Sequence, residues 1–390
     1  LIVFPSSVTK AIFMSCSPIL LAYAHYIRRL NPQQGALLLA EPQCTCYLYS
    51  MSNHGPIQIR APFNCLTPEL VADSIEEAFG IRLENLIYPF PSYINRVYGL
   101  QDVQGREYVA KFYRPGRWSL EQILEEHRFL SELQRGECPV VLPIPDREGE
   151  TLQTLSLEAC GLDTQETVEL TFYFALFPKM NGRAFDPESD EDWIRLGSLA
   201  GRIHVSGRKA QSGTRPKLSP VHFKGYVDQL IQEKLIPEDF ISDFMTVTGR
   251  ALELFTSHSS TVANIRLHGD FHRGNLINTA DQNLIIIDFD DMSEGPSVQD
   301  LWLLLPEHRR NSKRELELIL EGYTEFVEFN RKELDLIEDL RFFRMLHFLH
   351  WQSQQRFDRA FYQHFPDWGS HAFWVKCIED LQDQLLEMGG

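Results

Sequence analysis

From Thr67 to Phe79 apolar residues recur at helical spacing through Leu70, Ile75, Ala78 and Phe79. Thr67 stands in cap position, Pro68 at the first helical position and Gly80 at the close, so an amphipathic helix is predicted. Residues 86–100 and 107–113 read as strands joined by the turn-rich Asp102-Val103-Gln104-Gly105. Ser119 and Gln122 then form an S-x-x-Q capping box, with Trp118 and Ile123 as its hydrophobic staple. The stripe Ile123, Glu126, His127, Leu130, Leu133 defines one face of the helix that follows. Pro139, Pro143 and Pro145 interrupt the chain. Residues 148–170 are polar and acidic and read as a surface insertion, most clearly over 153–169. The strand Leu170 to Phe177 ends at Pro178. Beyond it the spacing is helical over 193–204, twice within 225–258, and over 312–330, 333–351 and 371–388, with strands only within 264–290. The pattern predicts an α+β chain: a strand-rich first part, a helical second part, and a boundary between Pro178 and Gly182.

The chain has 390 residues, 43% of them hydrophobic, enough for more than one compact unit. Its formal net charge of −17 repels phosphate backbones and anionic lipid heads, so neither nucleic acid nor a membrane surface is an expected partner. Seven scattered cysteines without a C-x-x-C pair argue against a disulfide framework or a structural zinc site and favour a reducing compartment, the cytoplasm. The apolar run Ala11 to Tyr23 is too short to span a bilayer and contains Pro18. The natural start is expected at or near Met51, with residues 1–50 an upstream extension without a stable fold and the whole of 1–60 either disordered or part of that extension.

The chemistry concentrates in Leu267-His268-Gly269-Asp270-Phe271-His272-Arg273-Gly274-Asn275-Leu276, followed by the aliphatic run Leu284 to Ile287 and Asp288. Phosphoryl transfer from ATP needs a carboxylate that orients the acceptor hydroxyl and takes its proton, an oxygen that holds magnesium, and a second carboxylate that bridges magnesium to the phosphates. Asp270, Asn275 and Asp288 supply these in order on one hairpin, within magnesium's preference for few, oxygen-only protein ligands. Lys111, in the apolar strand Tyr108 to Tyr113, needs an anion if buried, and shares a strand face with Val109, so Lys111 suits phosphates and Val109 the adenine. Glu126 lies on the inward stripe of its helix and is the candidate counter-ion for Lys111. Phe177 and Met180 flank the expected hinge. No G-x-G-x-x-G occurs between residues 86 and 111; Ser92 and Asn95, in a turn, are the candidate phosphate contacts. The short span from Asp288 to Asp300 has no room for a long activation loop, and Asp300, His268 and His272 read as scaffold residues. Arg341 and Arg344 suit either an acceptor groove or core packing. No H-E-x-x-H, G-x-S-x-G or dinucleotide fingerprint is present.

These strings resemble the aminoglycoside phosphotransferase and choline kinase-like superfamily and, more closely, the stress response kinase A family of bacterial serine/threonine protein kinases. The resemblance rests on Ser92-Tyr93-x-Asn95-Arg96-Val97-Tyr98, Lys111-Phe112-Tyr113-Arg114-Pro115-x-Arg117-Trp118, Gln122 to His127, Leu267 to Asp270, Asp290-Asp291 and Val298 to Trp302. It implies a protein-kinase-like two-lobed fold, with a small nucleotide-binding N-lobe over 61–178 and a larger, mostly helical C-lobe over 179–390 carrying the catalytic hairpin 264–290. It further implies Asp270 as proton acceptor, Asn275 and Asp288 as magnesium ligands with Asp288 also an active-site residue, and Ser92 at the ATP phosphates. The implied protein is cytoplasmic and uses ATP and Mg2+ to phosphorylate serine or threonine in proteins during envelope or oxidative stress; separately from the resemblance, a monomer is expected. The short activation segment favours instead a kinase of small alcohols such as amino alcohols, sugars or antibiotics. A third reading, a nucleotide-binding pseudokinase, requires one of Lys111, Asp270, Asn275 or Asp288 to be missing, and none is.

Overall fold

The computed structural model describes residues 62–92, 94–160, 167–358 and 361–389. The expectations for residues 1–60 lie outside them. Two compact units emerge: the described residues up to Gln134 with Pro139–Gly182, and Arg135–Cys138 with the residues from Arg183 onward.

The first unit holds α1 (Pro68–Phe79), β1 (Leu83–Pro89), β2 (Arg96–Asp102), β3 (Glu107–Phe112), α2 (Leu120–Arg135), β4 (Gln153–Cys160) and β5 (Thr167–Pro178). The strands form one antiparallel sheet in the order β1-β2-β3-β5-β4. Strand alternation divides its residues between two faces. Tyr98, Leu100, Ala110, Phe112, Phe174 and Leu176 pack with Val71, Ile75 and Phe79 of α1, and Phe112 stacks on Phe174 at 4.9 Å. The opposite face carries Ala175, which clusters with Tyr113 and with Ile123 of α2. Thr67 Oγ1 accepts the Leu70 amide and Gly80 closes α1 at φ 60°, as its sequence predicts.

Two expectations need correction. The stretch 86–100 is two strands rather than one, the first ending at Pro89 and the second starting at Arg96. The region read as a surface insertion contains β4, which pairs with β5 along its length, from Gln153 opposite Phe174 to Cys160 opposite Thr167. It is an edge strand with one face exposed, so Thr154, Ser156 and Glu158 gave it the polarity of a loop. Cys65 is disulfide-bonded, which departs from the expectation of unpaired cysteines, whereas Cys138 and Cys377 are buried free thiols.

The second unit contains β6 (Arg183–Ala184), α3 (Asp190–Gly207), α4 (Pro220–Gln232), α5 (Glu238–Ser259), β7 (Ile265–Leu267), β8 (Leu276–Asn278), β9 (Leu284–Ile286), β10 (Ser293–Gly295), α6 (Val298–Trp302), α7 (Lys313–Thr324), α8 (Ile337–Gln355), α9 (Phe361–His364) and α10 (His371–Met388). Its short strands form a β6-β8-β9 sheet and a β10-β7 ladder. The expected α+β division into a sheet-rich part and a mostly helical part therefore holds. No helix among the described residues is long and apolar enough to cross a membrane.

Candidate active site

In the first unit the register of β3 fixes the surroundings of Lys111. Lys111 stands opposite Val97 and Ala175, and Val109 opposite Gly99 and Phe177. Directly paired residues point to the same side of a sheet, so Val109, Lys111 and Phe177 share the α2 face. Lys111 Nζ lies 3.7 Å from Glu126 Oε1, with side chains 9% and 2% accessible, and 4.8 Å from the centre of the Tyr113 ring. Burial of the pair explains why α2 turns a carboxylate inward: either charge alone at this depth costs several kcal/mol. Val109, Phe177 and Met180 are half-buried. Ser92 is half-buried in the turn, where its amide bonds the Phe90 carbonyl at 2.8 Å. Asn95 is turned inward, 4% exposed, and its Oδ1 accepts the Arg114 amide at 3.1 Å. In this arrangement Asn95 braces the turn.

In the second unit the chain leaves β7 through Gly269, whose φ of +86° is unfavourable for other residues and whose added Cβ would lie 1.9 Å from the Asp291 carbonyl. Two bonds to one carboxylate pin this turn: Asp300 Oδ2 accepts the His268 amide at 2.8 Å and Oδ1 the Gly269 amide at 2.9 Å. Asp300 is fully buried and also faces His204 Nε2 at 3.0 Å. Its expected bracing role is thus visible in the bonds it makes.

The same logic continues to the hairpin. His268 Nδ1 accepts the Asp270 amide at 3.3 Å, so its Nε2 carries the proton and donates to the Ile287 carbonyl at 3.0 Å. Asn275 Nδ2 donates to the Asp270 carbonyl at 2.9 Å, leaving the carboxamide oxygen as the atom suited to a hard cation. The Ile287 amide bonds the Asn275 carbonyl at 3.0 Å, next to the β8–β9 pair Leu276 and Ile286. Asp288 follows at the exposed end of β9 with φ +64°, a left-handed conformation that Asp tolerates better than bulkier residues. One bonded chain therefore gathers Asp270, Asn275 and the end of β9. Among the described residues, no group of three or more His, Cys, Asp or Glu side chains could hold a metal alone. One carboxylate and one carboxamide oxygen suit an ion whose remaining ligands come from phosphates and water.

Asp270 has a nitrogen partner at each oxygen. Arg344 Nη2 donates to Oδ1 at 2.7 Å, and His272 Nε2 lies 3.3 Å from Oδ2. His272 Nδ1 accepts the Gly274 amide, so Nε2 holds the proton. Burial pushes the Asp270 carboxyl upward, but Arg344 and His272, with His268 behind them, outweigh it and hold the group well below the usual carboxylate range. His272 is thus more than scaffold.

Sequence pattern left Arg341 and Arg344 undivided. The structure separates them: Arg341 is 1% accessible, with its guanidinium over Trp302 at 4.8 Å, whereas Arg344 reaches Asp270. Arg273, unassigned by pattern, binds Asp186 at 2.7 Å and ties the loop to the segment before α3.

Residues 87–337 match the family described as "Phosphotransferase enzyme family", to which this chain belongs. It is 36% identical to stress response kinase A of Escherichia coli (strain K12) over 324 residues, covering 83% of this chain and 93% of that protein. It is 35% identical, with the same coverage, to "Serine/threonine protein kinase RdoA" of Salmonella typhimurium (strain LT2). Amicoumacin kinase hAmiN, solved in complex with AMP-PNP, Ca2+ and Ami, aligns at TM-score 0.61 and 17% identity over 81% of this chain and 93% of its own, a likeness of fold. The chain is a kinase of this phosphotransferase family.

Proposed function

We propose that the protein is an ATP- and magnesium-dependent serine/threonine protein kinase in which Asp270 receives the acceptor's proton. The observation that carries the reading is the bonded chain running from Asp300 through His268 and Asp270 to Asn275 and the end of β9. The acceptor oxygen attacks the γ-phosphorus, the bond to the β–γ bridging oxygen breaks, ADP leaves, and the hydroxyl proton passes to Asp270. A carboxylate held so strongly ionised is a weak base. It orients the hydroxyl first and takes the proton once the new P–O bond is largely made, as a loose transition state allows. Asn275 Oδ1 and the Asp288 carboxylate are the ligands for magnesium, which when bound offsets phosphate charge. Lys111, held by Glu126, neutralises phosphate oxygens, while Val109, Phe177 and Met180 form the apolar adenine surface. Ser92 contacts the phosphates; Asn95 serves the nucleotide indirectly, by holding the turn in shape.

Protein rather than small-molecule acceptors are favoured by two relatives above 30% identity, one named a serine/threonine protein kinase. The alternative, a small alcohol, is favoured by the short span between Asp288 and Asp300 and by the amicoumacin kinase of similar fold. A role in stress response and a cytoplasmic location, where ATP is available, complete the proposal. Incubation with labelled ATP and magnesium tests it, comparing wild type with Asp270→Ala on whole-cell protein and on a panel of alcohols. Label on protein serine or threonine, absent with the variant, supports the reading. Label on alcohols alone selects the second reading, and no transfer to either class overturns both.

A further inference from the structure

Arg344 is placed differently from Arg341, its neighbour on the same helix. It stands on α8 with 35% of its side chain accessible, and yet donates at 2.7 Å to the carboxylate assigned here as catalytic. Arg341, one turn earlier, is spent inside the fold on the Glu307 carbonyl and the Trp302 ring. An acceptor hydroxyl has to approach the same carboxylate that Arg344 already holds. A guanidinium is planar and has five N–H donors, so it can hold one carboxylate through one nitrogen and take a second anion along another edge. An anion beside the acceptor hydroxyl would share Arg344 with Asp270 and relax its hold on Oδ1. A neutral or cationic neighbour would leave the pair closed or be repelled.

We infer that Arg344 positions Asp270 and selects the acceptor, and that the preferred acceptor is a serine or threonine flanked by an acidic side chain. The inference rests on the protein-kinase reading above and deepens it. It makes Arg344 a positioning and specificity residue whose loss has two separable effects. Every acceptor suffers in kcat, because Asp270 loses its partner. Only acidic acceptors suffer in KM as well, because the shared cation is gone.

Steady-state kinetics on matched peptides test this, with aspartate, asparagine or lysine beside one serine, using wild type, Arg344→Gln and Arg344→Lys. Wild type should prefer the aspartate peptide by ~10- to 100-fold in kcat/KM, the range of one charge-assisted hydrogen bond. Arg344→Gln should bring the KM values for the aspartate and asparagine peptides to within ~3-fold of each other, and Arg344→Lys should restore part of the gap. KM for ATP stays at the wild-type value in both variants if folding is intact. Equal use of the three peptides by wild type, preference for lysine, or an acidic preference that persists in Arg344→Gln overturns the inference. Failure of the protein-kinase reading is seen separately, as transfer to alcohols and to no peptide. The same comparison then passes to a hydroxy acid and its amide: an acid preference lost in Arg344→Gln supports the role of Arg344, and equal use overturns it.

Discussion

Asp300 Oδ1 accepts the Gly269 amide at 2.9 Å, and this bond sets the direction in which the next residue, Asp270, leaves the strand. Its other oxygen takes the His268 amide and faces His204, whose Nδ1 lies 3.0 Å from the Tyr323 hydroxyl. All of Asp300 is buried, so its charge is held by these donors alone rather than by water. Asp300→Asn places an NH2 group against a backbone N–H and removes the charge opposite His204. It should cost about 3 kcal/mol of stability and lower kcat at least ~10-fold with KM for ATP little changed. Urea unfolding and steady-state kinetics check the two parts.

Gly269→Ala asks the same turn to accept a Cβ. At φ +86°, with the Asp291 carbonyl 1.9 Å from the new atom, the loop must shift. A loss of about 1–3 kcal/mol in stability and more than ~100-fold in phosphotransfer is expected, since misplacement of a reacting group by about 1 Å suffices for that. Thermal unfolding and single-turnover transfer measure it.

Lys111 and Glu126 should behave as a coupled pair. Lys111→Met takes the Lys111 charge away from the nearly enclosed Glu126, and Glu126→Gln takes the Glu126 charge away from Lys111. Each single change should raise KM for ATP and lower stability, while the double change should cost less than the sum by roughly 0.5–3 kcal/mol. A double-mutant cycle read by urea unfolding and by ATP titration gives the coupling.

Acid should loosen the second unit through Glu338. Burial pushes this carboxyl up, but His308, Arg341, Gln384 and the Arg309 amide pull it down to about 2. A carboxyl whose value is depressed on folding contributes stability that is present in full above its ordinary value of 4.5 and fades as pH falls toward 2. The contribution is about 3 kcal/mol, for a side chain that is 12% accessible. Urea unfolding between pH 5.5 and 2.5 should show this loss in wild type and a flatter profile in Glu338→Gln.

Much of the candidate site's local arrangement was legible because its residues are locally spaced. Asp270, Asn275 and Asp288 sit on one loop and hairpin, so chain distance nearly equals spatial distance, and helical spacing alone sets Glu126 on the inward stripe of α2. What was hidden depends on contacts between segments far apart in sequence. Arg344 meets Asp270 across 74 residues, and the spacing of an aromatic helix cannot say which of two arginines faces a loop. Asn95 looked like a phosphate contact because a polar side chain in a turn is normally exposed, whereas here a backbone amide 19 residues on takes it inward. β4 was read as an insertion because half of an edge strand is polar; only its ladder with β5 distinguishes it from a loop.

The most direct test of the account is single-turnover transfer by Asp270→Asn with magnesium and labelled ATP. The substitution keeps shape and volume but removes the proton acceptor. The account predicts ATP affinity within ~3-fold of wild type and transfer reduced by ~100- to 10,000-fold, the range for loss of a general base. Transfer at more than a tenth of the wild-type rate would contradict it.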